Sequence, residues 1–240
     1  MPYTRPEVQN EIMEIIFQEN REILSRIIAE KIITLVQHKP NCVLGLATGS
    51  SPLLVYQDLI QAYEKGRVSF RKTRTFNLDE YLGCSTEKDT YRYFMDHELF
   101  DHIDIDKANT HFPDPACPKE YDRQIALSPI DFQLLGIGAD GHIGFNEPGT
   151  SFDSLTHIAV LTEKTRRDNS RFFASFAQVP EKAVTMGLYT IMQAQEIALI
   201  ALGASKKTAI SQMFQEENIA CPASILKKHR NAVIYIDWEK

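Results

Sequence analysis

Apolar residues recur along this chain with two different periods, and the change from one to the other marks its elements. From Pro6 to His38 the positions Ile12, Ile15, Ile16, Ile23, Ile27, Ile28 and Ile32 fall near helical spacing, with Thr4 placed to cap, and predict one long helix. Cys42 to Ala47 is an unbroken apolar run of strand length, followed by Thr48-Gly49-Ser50-Ser51-Pro52 and an amphipathic helix starting near Leu53. Further strands are predicted over Thr73 to Leu78, Phe132 to Ile137, His157 to Leu161, Ile197 to Leu202 and Ala232 to Ile236. Helical patterns separate most of them, at Thr90 to Phe100, Tyr121 to Leu127 and Lys206 to Phe214. Strands alternating with helices imply an α/β fold: a mostly parallel, Rossmann-like sheet flanked by helices, with active groups at the carboxyl ends of its strands. No repeat, low-complexity stretch or linker interrupts the pattern, so residues 1–240 read as a single domain.

The densest chemistry follows the strand at Phe132. Leu134-Leu135-Gly136-Ile137-Gly138-Ala139-Asp140-Gly141-His142-Ile143-Gly144-Phe145-Asn146-Glu147-Pro148 presents two carboxylates around one imidazole in a short glycine-rich loop. Flanking carboxylates can orient a histidine and adjust its proton affinity, so Asp140, His142 and Glu147 are candidates for proton transfer. The run also contains Gly136-x-Gly138-x-x-Gly141, but glycines and Pro148 follow where a dinucleotide site needs a helix. The next acid, Asp153, comes too early for the ribose contact, and the nicotinamide or flavin reading is set aside. No pair of histidines has metal-site spacing, and the site is expected to work without metal or other cofactor.

Three other turns suit an anion. Thr48, Gly49 and Ser50 lie between a strand and a helix N-terminus, where free N–H groups and the dipole favour a phosphate, although plain helix capping explains the segment equally well. The Walker pattern is absent, which points away from a nucleoside triphosphate. Arg171 stands among aromatics in Asn169-Ser170-Arg171-Phe172-Phe173, while Arg166 and Arg167 read as solvated. Lys206 or Lys207 opens a helix after Leu202-Gly203-Ala204-Ser205. Asp79 closes the strand Thr75-Phe76-Asn77-Leu78, where burial would make it a base; taken alone, Asp79-Glu80 reads rather as a solvated pair at a turn.

Composition narrows the partners. With 32 acidic against 26 basic side chains and a net charge of −6, nothing favours nucleic acid. No apolar run approaches the roughly 20 residues that span a bilayer, and Met1 to Glu7 lacks a signal-peptide core. Four scattered cysteines, Cys42, Cys84, Cys117 and Cys221, suit a reduced cytoplasm.

Together these segments resemble the glucosamine-6-phosphate deaminases, also called glucosamine-6-phosphate isomerases. The matching blocks are Leu44 to Gly49, Thr75 to Tyr81, Gly136 to Gly149 and Asn169 to Phe173, in order over residues 42–210. The resemblance implies conversion of glucosamine 6-phosphate and water to fructose 6-phosphate and ammonia. It gives His142 the proton transfer of ring opening, with Asp140 and Glu147 holding it, and gives Asp79 the proton on C2. It assigns Thr48, Gly49, Ser50, Arg171 and Lys206 to the phosphate, and a mobile lid to Thr162 to Phe173. Some members are allosteric hexamers that use basic residues on the strand after the catalytic loop. Here that strand reads His157-Ile158-Ala159, and the chain stops at Lys240 without their longer tail. A monomer or low-order homo-oligomer without allosteric activation is therefore expected. The family pattern also implies a short first strand where the periodicity predicts helix.

Two alternatives share the architecture. A galactosamine 6-phosphate enzyme would differ only at C4, and no residue singled out above reads that hydroxyl. A non-catalytic sugar-phosphate-binding effector domain would show eroded acids and bases beside a DNA-binding region, whereas Asp79, Asp140, His142 and Glu147 are all present.

Overall fold

The computed structural model describes residues 13–238. In chain order its regular elements are β1 (Glu14–Phe17), α1 (Arg21–His38), β2 (Val43–Leu46), α2 (Leu53–Glu64), β3 (Arg74–Asn77) and β4 (Asp79–Leu82). They continue with α3 (Tyr91–Glu98), β5 (Thr110–His111), α4 (Pro118–Leu127), β6 (Phe132–Gly136) and β7 (His157–Val160). The rest are α5 (Glu163–Asn169), β8 (Lys182–Thr185), α6 (Leu188–Ile191), β9 (Glu196–Ala201), α7 (Lys207–Met213) and β10 (Ala232–Ile236).

Seven strands form one sheet in the order β1-β10-β9-β6-β2-β3-β5, and every neighbouring pair is parallel. Side chains alternate across it, as the period of two requires. On β9 and β10, Ile197, Leu199, Ala201, Ile234 and Ile236 pack on one face with residues of α4, α6 and α7. Ala198, Ile200, Val233 and Tyr235 pack on the other with α1, α2 and α3. Both faces are thus covered, and the five inner strands β10, β9, β6, β2 and β3 are buried almost throughout.

The chain runs outward through β2, β3 and β5, then returns to β6 on the far side of β2. This reversal leaves a crevice between β2 and β6 at the carboxyl edge, where open α/β sheets bind ligands. Thr48 to Ser50 follow β2 and the glycine loop follows β6, so both candidate segments meet there. A second sheet, β4-β8-β7, is antiparallel and sits beside this edge. Tyr81, Phe145, Ala159, Leu161 and Ala183 form its own small core.

Two expectations need correction. Residues 14–17 are a strand, not helix: Ile15 and Ile16 pair with Ile234 and Tyr235 of β10, which lengthens the sheet by one edge. The helix starts later because Asn20 caps it, accepting from the N–H groups of Glu22 (2.9 Å) and Ile23 (3.1 Å). The Thr4 cap and the positions from Pro6 to Ile12 lie outside the described residues. The Asp79-Glu80 pair, read as a turn, begins strand β4 and is held by β8 through Asp79↔Thr185 and Glu80↔Val184. A partner a hundred residues away decides that assignment, and local sequence does not contain it.

Candidate active site

One cleft at the switch point is lined by Thr48, Gly49, Ser50, Asp79, His142, Arg171 and Lys206. The remaining predicted residues, Asp140 and Glu147, sit behind His142: one atom from each of the three lies within 4.8 Å of the others.

Neighbouring residues on a strand point to opposite sides, and β4 uses this to separate its two acids. Glu80 turns away and caps α3, accepting from the N–H groups of Tyr91 (2.8 Å) and Arg92 (2.9 Å). Asp79 turns into the cleft and is 5% exposed, so it is not a solvated acid. Burial, assisted by the charge of Glu80, pushes its carboxyl up to about 8. A carboxylate of that basicity can take a proton from carbon beside a carbonyl.

The loop after β6 is anchored along its length. His142 C=O accepts from Gly138 N–H (2.9 Å), Gly141 C=O from Ala223 N–H (2.9 Å), and Thr185 Oγ1 from Phe145 N–H (3.0 Å). Buried Asn146 donates through Nδ2 to the carbonyls of Ile143 (2.9 Å) and Met186 (2.8 Å). Gly144 takes φ +57°, and a Cβ there would lie 3.0 Å from Thr185 Oγ1 and 3.5 Å from Asp79 Oδ2. The bend therefore carries the histidine loop directly past the β4 acid.

His142 Nδ1 stands 2.7 Å from Asp140 Oδ1, off the axis of an aligned hydrogen bond. Burial alone would push the Asp140 carboxyl up, but His142 and Lys164 hold it well below the usual carboxylate range. Glu147 is buried and accepts from Thr162 at the start of α5, from its N–H (3.3 Å) and its hydroxyl (3.4 Å). The trio is compact enough to bracket a cation, but Lys164 Nζ is already 3.5 Å from Asp140 Oδ2 and supplies positive charge there.

Around the anion side, α2 begins after Pro52 with no side-chain cap, so Thr48 and Ser50 are not spent on capping. Arg171 Nη2 is 3.4 Å from Ser50 Oγ, which joins the two ends of the cradle. Between the two lysines the structure decides: Lys206 lines the cleft and Lys207 is exposed. Burial pushes the Lys206 ammonium down, and Asp168 partly offsets this. Arg167 is exposed as expected. Arg166 is not: its Nη2 donates to Val179 C=O (2.9 Å) and its guanidinium lies 4.7 Å from the Phe176 ring.

Sequence reasoning missed Tyr91, Thr165 and Asp168, which also line the cleft. Tyr91 had a local signal, since Thr90 caps α3 just before it and so fixes where the helix enters. Asp168 shares a helix with two arginines and carries no mark of its own.

A sequence profile described as glucosamine-6-phosphate isomerases/6-phosphogluconolactonase matches residues 18–235. The chain is 45% identical over 235 residues to the glucosamine-6-phosphate deaminase of Pseudoalteromonas translucida, covering 94% of this chain and 88% of that one. It is 47% identical over 226 residues to that of Malacoplasma penetrans, covering 89% and 93%. The solved structure of a monomeric glucosamine-6-phosphate deaminase superposes with a TM-score of 0.90 at 39% identity, covering 93% of this chain and 97% of that one. A 6-phosphogluconolactonase from Trypanosoma brucei shares the fold at a TM-score of 0.71 and 19% identity, covering 93% and 95%.

Proposed function

The chain belongs to the glucosamine-6-phosphate isomerase/6-phosphogluconolactonase family, and within it we propose a glucosamine-6-phosphate deaminase that releases fructose 6-phosphate and ammonia. The observation that carries this reading is one cleft combining a buried, strongly basic carboxylate, an acid-flanked imidazole and a cationic anion cradle. A lactone hydrolase has no use for a carbon base. An aldose-to-ketose conversion requires one.

Thr48, Gly49, Ser50, Arg171 and Lys206 hold the phosphate. His142 takes the proton from the C1 hydroxyl and delivers it to the ring oxygen, opening the sugar to the aldehyde, while Asp140 stabilises the imidazolium. Asp79 then takes the C2 proton and returns it to C1. The double bond passes from C1–O to C1–C2 as the substrate's ammonium gives up a proton and O1 gains one, and then to C2–N as C1 is protonated; water adds to that iminium and expels ammonia. One group works between ring oxygens and the other between adjacent carbons, which is why two are needed. The described residues include no helix long and apolar enough to cross a membrane, and the four cysteines carry free thiols; a cytoplasmic enzyme fits both.

The direct test is ammonia and fructose 6-phosphate release from glucosamine 6-phosphate in the presence of chelator. Stoichiometric release of both is expected, and silence would end the proposal. Arg171→Ala should raise KM by about 10–100-fold with a smaller change in kcat, the effect of losing one charge-assisted phosphate contact; an unchanged KM would remove Arg171 from the cradle. Rate curves should be hyperbolic and the protein monomeric by sedimentation. Ala159 is packed inside the small core, leaving β7 no cation there to hold an activating phosphate. Sigmoidal kinetics relieved by N-acetylglucosamine 6-phosphate would overturn this.

A further inference from the structure

Beside the substrate cleft lies a second cavity that the proposed reaction leaves unused. Tyr81, Tyr91, Phe94, Phe172 and Phe173 give it aromatic walls, and Gly49 closes one end. Gly49, Tyr91 and Phe172 also line the substrate cleft, so the two cavities meet beside the phosphate cradle. None of Asp79, Asp140, His142 and Glu147 lines the second one, and a sugar directed at those groups does not fill it.

Three separate segments bring the rings together. Tyr81 lies on β4, Tyr91 and Phe94 share one face of α3 at a spacing of three, and Phe172 and Phe173 follow Arg171. The centre of the Tyr81 ring is 4.6 Å from that of Tyr91 and, edge-on, 5.5 Å from that of Phe173. Phe172 stays 48% exposed, with the Arg171 guanidinium 4.8 Å from its ring centre. The polar groups along the walls are already engaged. Asn169 Nδ2 donates to Tyr81 Oη (3.0 Å), and Thr90 Oγ1 donates to Glu87 C=O (2.7 Å). The Asp89 carboxylate accepts from the N–H (3.2 Å) and hydroxyl (2.9 Å) of Thr86. The other charge at the rim, exposed Lys88, is a cation and does not repel an anionic ligand. What the cavity offers is ring surface. Its volume is about 140 Å³, close to the roughly 150 Å³ of an apolar cavity that holds one benzene.

We propose that this cavity binds one aromatic ring carried on a phosphate monoester, with the phosphate in the cradle and the ring directed away from Asp79 and His142. This rests on the cradle assigned above. The ligand class is aryl and arylmethyl phosphates, whose ring meets the tyrosine and phenylalanine walls by offset and edge contacts. Sharing the cradle, they compete with the sugar phosphate. They place no carbon acid beside Asp79 and are not turned over.

Titrations followed by amide NMR shifts, at pH 8 where the esters carry equal charge, separate the two parts. Inorganic phosphate probes the cradle alone, ethyl phosphate adds a short chain, and phenyl and benzyl phosphate add the ring. The tighter aromatic ester should bind about tenfold more strongly than ethyl phosphate, the worth of burying roughly 50–60 Å² of apolar surface. Excess inorganic phosphate should displace it. Phe94→Ala removes one wall outside the cradle, and Phe172→Ala removes another at an exposed position. Each should cut the preference for the aromatic ester to about twofold or less. The preference is a ratio of two constants, so any change in the cradle itself cancels. The proposal is overturned if the aromatic esters bind no tighter than ethyl phosphate, if their advantage survives both substitutions, or if phosphate does not displace them. With inorganic phosphate still bound, each of those results leaves the cradle standing. Failure of inorganic phosphate to bind would instead remove the cradle, and this proposal with it.

Discussion

Asp79→Asn should lose about three to four orders of magnitude in kcat, the upper range for removing a general base, while inorganic phosphate and substrate analogues bind nearly as before. The proposed phosphate residues are Thr48 to Ser50 after β2, Arg171, and Lys206 just before α7, and none of these contacts the β4 carboxylate through a hydrogen bond. In the unmodified protein, log kcat/KM should climb with pH and level off near the carboxyl value of about 8, because only the ionised acid can accept the carbon proton. An Asp79→Asn variant retaining a hundredth of the activity would assign the base elsewhere.

The same substitution carries a signature in stability. In the unfolded chain the group titrates near 4, in the folded protein at about 8. Between those limits the folded state holds a proton that the unfolded state has released, so stability falls as pH rises through that window and the full penalty stands above it. That penalty is on the order of a few kcal/mol. Asparagine cannot ionise and escapes it. The melting temperature of Asp79→Asn minus that of the parent should therefore grow steadily from pH 4.5 to 8.5. A difference flat in pH would mean that Asp79 is not held in a desolvated state, whatever its effect on rate.

How much of this was legible depends on where the deciding partner lies in the chain. The parallel strands could be read because both faces are buried and each is an apolar run bounded by polar turns, as at Val43–Leu46 and Ala232–Ile236. The Asp140–His142–Glu147 trio could be read because eight residues contain all of it. Asp79 was different: its raised proton affinity arises from β4 being roofed by β8, Thr185 and the Gly144 bend, none of them neighbours in sequence. Lys164 and Asp168 were illegible for the same reason, since a charged helix looks solvated until the cleft beneath it is known. The β1 edge failed through ambiguity: Ile15 and Ile16 suit a helix stripe or a strand, and only pairing with β10 decides.

Gly138→Ala should be nearly as damaging as loss of the imidazole, for a purely steric reason. Gly138 does not have positive φ, so its backbone admits alanine without strain. What excludes a methyl group is the His142 ring, whose Cε1, Nδ1 and Nε2 all occupy the space a Cβ would take. The ring must swing away from Asp140, and a misplaced acid–base group costs about 10²–10³ in rate. Gly136, two residues earlier, faces no protein atom within 4 Å and gives a matched control for fold and stability. The defect should also depend on the substrate. An analogue lacking both the C4 and C5 hydroxyls can close to neither furanose nor pyranose and bypasses the step given to His142, so Gly138→Ala should turn it over at close to the parent rate while Asp79→Asn fails on it. Equal losses on the cyclic sugar and the open analogue would show that His142 serves the carbon chemistry as well, and the division of labour between loop and strand would have to be redrawn.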